Sequence, residues 1–173
     1  MTITTKVEDF VIRYAEKSDV ASILYYIREL AKYENELEYV KADEPTLYDS
    51  VFIRKAAEVI FGEYRNKKVG FAVFHQNFST FLGKPGINLV DLYIEPKMRN
   101  KGFGNEMLSY LASLTIERKC GRLEWWVHDW NSEARRFYMR IGSKEVEKIR
   151  VYRLTGKELE EYGESFIHNK CKP

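Results

Sequence analysis

The run from Leu89 to Leu108 limits what this chain can fold into more than any other stretch. Leu89–Ile94 is short, nearly continuous in apolar residues and rich in strand formers, the pattern of a buried strand. Pro96 removes a backbone donor and ends the pairing. A cationic turn carrying Arg99 and Lys101 follows, then Gly102 and Gly104. Met107, Leu108, Leu111, Ala112 and Leu114 then recur at helical spacing, which predicts a helix from Gly102 to about Arg118. The start of such a helix offers unpaired amide N–H groups and about half a unit of positive charge to an anion. Glycines there keep Cβ atoms out of the way and permit positive φ, so a phosphate can come close to the main chain. The expected ligand is a phosphate ester, most simply a diphosphate lying across the loop.

Composition narrows the class. A chain of 173 residues is the size of one domain and can bury a real core. Hydrophobic residues at 45% and aromatics at 14% fit a globular protein and not a disordered one. A net charge of +2 and a pI near 8.4 are too mild to argue for nucleic acid. No apolar run approaches a membrane span, and Met1–Lys6 lacks the apolar core of a signal peptide. Cys120 and Cys171 have no CxxC spacing and the three histidines are scattered, so no metal site is expected. The expected setting is the cytoplasm, with both thiols reduced.

Along the chain, residues 1–8 read as a loose lead-in and Phe10–Tyr14 as a first strand. Ser18 or Asp19 caps a helix to about Tyr33 in which Val20, Ile23, Leu24, Ile27, Leu30 and Ala31 share a face. The acidic segment Glu34–Tyr39 reads as a loop. Asp43-Glu44-Pro45 opens a shorter helix through about Phe52. Ala57–Tyr64 and Val69–Asn77 predict a hairpin turning at Arg65–Lys68, and Phe78–Gly86 a loop. A strand is expected over Arg122–Val127 and a short helix from Trp130-Asn131-Ser132 to Gly142. One or two strands follow between Lys144 and Leu154, then a small helix over Lys157–Tyr162. This is one α/β domain over residues 9–160, with 1–8 and 161–173 as terminal extensions.

The spacing Arg99-x-x-Gly102-x-Gly104 resembles the acyl-CoA diphosphate loop of the GNAT superfamily of N-acetyltransferases, and the element order matches as well. Arg28–Glu34, Phe81–Lys84, Asp91–Gly104 and Trp130-Asn131 with Phe137-Tyr138-x-Arg140-x-Gly142 are similar to blocks of its spermidine/spermine (diamine) acetyltransferase branch. The resemblance implies the GNAT fold: a mixed, mostly antiparallel central sheet flanked by helices, with a splayed V between the two central strands. It implies acetyl-CoA as cosubstrate and no metal.

Carried onto this sequence, the resemblance assigns the pantetheine arm to the main chain of Leu92, Tyr93 and Ile94. The diphosphate falls to Asn100, Lys101, Gly102, Phe103, Gly104 and Asn105, with Arg99 at the entrance. Asn131, Ser132 and Ala134 would line the arm, and Tyr138 would return a proton to the leaving thiolate. Helix capping alone is the other role for Asn131, and core packing the other role for Tyr138. Tyr33, Glu34, Glu124 and Trp126 would contact the acceptor, a small primary amine such as a diamine, a polyamine or a lysine-like amino acid.

That amine must lose a proton, since a free alkylammonium has a pKa of about 10.4. The branch places a glutamate immediately before the strand aspartate, but here the position is Val90. Strict alternation would turn Asp91 the other way. Glu34, Glu124 and His75 are then the groups left to drain the proton through water. Phe81 and Ser79 stand where the branch has a tryptophan and an aspartate, so a less charged acceptor than spermine is expected. The branch also implies a homodimer. The competing functions are a non-catalytic acyl-CoA sensor and a protein N-acetyltransferase. A nucleic-acid module is disfavoured by the acidic segment, and a Rossmann unit by the missing third glycine.

Overall fold

A computed structural model describes residues 2–168, which form two compact units divided after Trp126. Cys171 and the last residues of the expected C-terminal extension lie outside the described residues.

The first unit is built on a six-stranded sheet in the order β1-β2-β3-β4-β5-β6. Its strands are β1 (Thr2–Thr4), β2 (Phe10–Tyr14), β3 (Glu58–Tyr64), β4 (Lys67–Ser79), β5 (Lys84–Ile94) and β6 (Leu123–Trp125). Every neighbouring pair is antiparallel except β5–β6, which is parallel. Two expectations change here. Part of the lead-in is a strand, because main-chain groups of Thr2–Thr4 pair with Val11–Arg13 whatever the polarity of their side chains. The expected loop over 78–86 shrinks to a turn over 80–83. Pairs such as Phe78↔Pro85 and Asn77↔Gly86 extend the ladder through apolar and polar positions alike. The turn joining β3 and β4 is formed by Arg65 and Asn66, both at positive φ, the signature of a two-residue hairpin turn.

Helices cover both faces. On one, Ile23 and Tyr26 of α1 (Val20–Tyr33) pack on Val59, Phe61, Phe71 and Tyr93. The Tyr26 hydroxyl donates to Glu95 at 3.1 Å, tying the helix to the end of β5. On the other lies α3 (Phe103–Glu117), which buries Phe103, Met107, Leu108, Leu111 and Leu114. Ala112, expected on that face, is exposed. Asp19 is more than a helix cap. It is buried, pairs with Arg13 at 2.7 Å and Lys68 at 2.8 Å, and accepts from the Glu16 amide. Those cations hold its carboxyl far below the usual carboxylate range despite burial. Helix α2 (Glu44–Leu47) starts at the Asp43 cap and continues as a wider turn over Tyr48–Ile53.

The second unit contains α4 (Ser132–Arg140) and α5 (Gly156–His168). Helix α5 runs past the Tyr162 expected from sequence. The strands expected over 144–154 are not formed among the described residues. Charges at Glu145, Glu147, Lys148, Arg150 and Arg153 interrupt the apolar pattern. No ladder satisfies the main chain there, and Val146, Ile149, Val151 and Tyr152 are exposed.

Candidate active site

The site begins where the two central strands part. β5 and β6 pair only at Ile87↔Leu123, Asn88↔Glu124 and Leu89↔Trp125. Beyond Leu89, β5 keeps β4 as its neighbour and no described strand lies on its other side. A β-bulge marks the same point: Val73 pairs with Asp91 and Phe74 with Leu89, leaving Val90 as the extra residue. Past the bulge the ladder changes phase. Glu95 N donates to Val69 O while Ile94 stands opposite Gly70, which makes Gly70↔Ile94 and Ala72↔Leu92 non-hydrogen-bonded pairs. The amide groups of Leu92 and Ile94 therefore face the open edge, whereas those of Tyr93 are taken by β4. Of the three residues expected to hold an extended ligand arm, Leu92 has its N–H and C=O to offer and Ile94 its N–H, the Ile94 carbonyl accepting from Arg99 Nε.

The bulge also decides where Asp91 points. In an unbroken strand Asp91 and Asn88 would lie on opposite faces. One extra residue brings them to the same face, the one covered by α1. There burial pushes the Asp91 carboxyl up to about 6, with the charge of Glu34 at the C-cap of α1 adding to the shift. A carboxylate so tuned is poised to take a proton near neutral pH. Strict alternation hid this residue. The signal that could have found it is the Asp91–Glu34 pairing of acids across the sheet and helix.

At the C-terminal end of β5 the chain turns through Pro96–Met98 into α3. Gly102 is the N-cap residue at φ 86, a backbone state that suits glycine, and a Cβ at Gly104 would have only Ile94 near it, at 3.8 Å. Lys101, Gly102 and Asn105 are exposed around this helix start. Phe103 has a different part from the one its place in the motif suggests. Its ring is buried and stacked on Phe10 at 4.2 Å, so it anchors the helix and has only its main chain to offer a ligand. Arg99 is likewise engaged within the protein. Its Nε donates to Ile94 O at 3.0 Å, and its guanidinium lies 4.3 Å from the Tyr33 ring and 5.6 Å from the Tyr93 ring. The structure thus brings Tyr33, Tyr93, Ile94 and Arg99 together.

Glu124 lies opposite Asn88 on β6, accepts from Asn77 Nδ2 at 2.5 Å and pairs with Arg122 at 3.0 Å. His75 and Asn88 approach each other at 3.3 Å on the same face, so His75 belongs to this polar row. Trp126 follows β6 and is exposed.

In the second unit, Asn131 is the N-cap of α4, its side chain accepting from Ala134 N at 3.2 Å. The Ser132 hydroxyl accepts from Arg136 at 3.4 Å. Tyr138 lies in the middle of α4, tilted against Phe137 at 5.5 Å, and burial pushes its phenol up.

A mostly antiparallel sheet that opens beside a bulge, next to a glycine-capped helix start, is the arrangement expected of an acyl-CoA-dependent acyltransferase. Comparison with known proteins agrees: the Acetyltransferase (GNAT) family profile matches residues 22–142. The chain belongs to the GNAT family of acetyltransferases, which use acetyl-CoA, and it is an N-acetyltransferase. Thialysine N-epsilon-acetyltransferase of Bos taurus is 31% identical over 87% of this chain and 95% of its own. Spermidine/spermine N(1)-acetyltransferase-like protein 1 of Homo sapiens is 29% identical over 82% of this chain and 21% of its own. Among solved structures, an integron cassette protein of V. cholerae superposes with a TM-score of 0.75 at 25% identity, covering 90% of this chain and 98% of its own.

Proposed function

We propose that the chain acetylates the primary amine of a small molecule, a diamine, a polyamine or a lysine-like amino acid, by direct attack in a ternary complex. The observation that carries this is the bulge at Val90, which opens the edge of β5 and sets Asp91 beside Glu34 on one face. The relatives support the acceptor class, since they are named for thialysine and for spermidine and spermine.

The residues fit acetyl-CoA. Main chain of Leu92 and Ile94 would hold the pantetheine arm as an added strand. Asn100 to Asn105 would hold the diphosphate on amide groups at the start of α3. Asn131, Ser132 and Ala134 keep their assignment to the arm. Acetyl-CoA supplies an activated acyl carbon, which gains a bond to nitrogen as its bond to sulfur breaks.

This chain's part is proton traffic and placement. Asp91 takes a proton from the incoming ammonium, a role that sequence alone left to Glu34, Glu124 or His75. The Leu92 amide donates to the charge that develops on oxygen. Tyr138, whose phenol stays protonated through the neutral range, donates to the departing sulfur. Tyr33, Glu34, Glu124 and Trp126 surround the acceptor with aromatic faces and negative charge. Residues 9–160 act as one catalytic domain, in the cytoplasm and as a homodimer. No described helix is long and apolar enough to cross a membrane.

The test is thiol release from acetyl-CoA with a panel of diamines, polyamines and basic amino acids. Turnover of at least one amine, cut about 100-fold in kcat by Tyr138→Phe, is expected. Binding of acetyl-CoA with no turnover on any amine would instead make the chain an acyl-CoA sensor.

A further inference from the structure

Resting on that acetyltransferase reading, we propose that the corner formed by β4, β5 and β6 recognises the head group of an α-amino acid whose side-chain amine is the acetyl acceptor. Arg122 takes the carboxylate and Glu124 the α-ammonium.

The corner carries opposite charges side by side. Arg122 Nη2 and Glu124 Oε1 are 3.0 Å apart, with side chains 39% and 38% exposed, so both remain open to a ligand. A diamine or polyamine offers only positive charge and would set an ammonium against Arg122. A zwitterionic head complements both groups at once.

The corner is also built rather than incidental. Asn77 Nδ2 fixes the Glu124 carboxylate. Gly86 is needed beneath it, because a Cβ there would collide with Asn77 Oδ1 and crowd the Arg122 side chain. Asn77 Oδ1 and Arg122 Nε are both buried without a hydrogen-bond partner. An acceptor and a donor left unmet in one corner are the mark of a polar site rather than of packing.

The spacing suits a side chain of ornithine or lysine length. Asp91 and Asn88 share a face because of the bulge, and their β4 partners Val73 and His75 are two residues apart. Two strand steps are about 7 Å, and the step across to Glu124 adds a lateral spacing of about 4.8 Å. The separation between Asp91 and Glu124 backbones is then about 8 Å. An extended chain of four or five bonds from amine nitrogen to α-carbon spans about 6 Å, a comparable length, so one amino acid lying over this face can reach both carboxylates.

The experiment compares L-ornithine with 1,4-diaminobutane, which differ only by the carboxylate, in steady-state thiol release. The wild type should favour L-ornithine in kcat/KM. Arg122→Gln should lower the ornithine-to-diaminobutane ratio at least tenfold, and Arg122→Lys should recover part of it. Glu124→Gln should raise KM for both amines. Melting curves of each variant exclude a folding defect as the cause. A wild type that prefers diaminobutane, or a ratio indifferent to Arg122→Gln, overturns the head-group assignment while leaving the acetyltransferase reading standing. Absence of turnover with either amine and with every other amine of the panel overturns both.

Discussion

Asp91 holds a carboxyl whose folded-state value of about 6 lies above the ordinary 3.8, and this has two consequences of opposite sign. The folded chain binds that proton more tightly than the unfolded one. Asp91 therefore lowers stability in full above about pH 6, and the penalty fades as the pH falls from about 6 to about 4. Asp91→Asn should raise stability at pH 8 by about 1–2 kcal/mol and leave it unchanged below pH 4, read by urea unfolding at the two pH values. The same substitution should cost at least 100-fold in kcat/KM and abolish an acid limb near pH 6 in the wild-type profile. A variant that is more stable and less active marks a group strained for function. Spacing alone singles out the motif glycines and Arg99, and the resemblance alone singles out Tyr33; the structure adds that Arg99 lies against the Tyr33 ring. Sequence did not make Asp91 legible, because a bulge is one residue of ladder phase and leaves no composition signal. Phe103 shows the reverse: its place in the motif suggested a ligand contact, whereas its ring is committed to Phe10.

The elements around the site were mostly readable from apolar periodicity. Helices α1 and α3 and strands β2 to β5 follow it, and the pattern fails where pairing rather than burial decides. The residues of β1 are polar and the 78–86 segment is mixed, yet both enter the ladder through their main chain. The stretch 144–154 has β-forming residues and no ladder. A contact within the ladder sets the geometry of the open edge. Gly70 stands opposite Ile94, and a Cβ there would meet Tyr93 O and Ile94 Cδ1, each at 2.5 Å. Gly70→Val should destabilise the fold by about 2 kcal/mol through overpacking, measured by urea unfolding. By displacing Ile94 it should also weaken acetyl-CoA binding several-fold, a joint loss that a surface substitution such as Lys97→Ala would not produce.

At the scale of the whole molecule, the second unit leaves Ile141, Val146, Ile149, Val151, Tyr152 and Leu154 exposed, side chains that the proposed homodimer would cover. A homodimer covering that surface should give twice the 20.5 kDa chain mass in light scattering, and Val151→Glu with Tyr152→Glu should return it to one. In the first unit, the start of α3 is proposed to grip the diphosphate of acetyl-CoA. Gly104→Asp tests this most directly, because an acid in the first turn favours the helix dipole while opposing a bound phosphate. In calorimetric titration with acetyl-CoA the wild type should bind one equivalent. Gly104→Asp, melting no lower than wild type, should bind at least tenfold more weakly. Equal affinity in the two proteins would contradict the account.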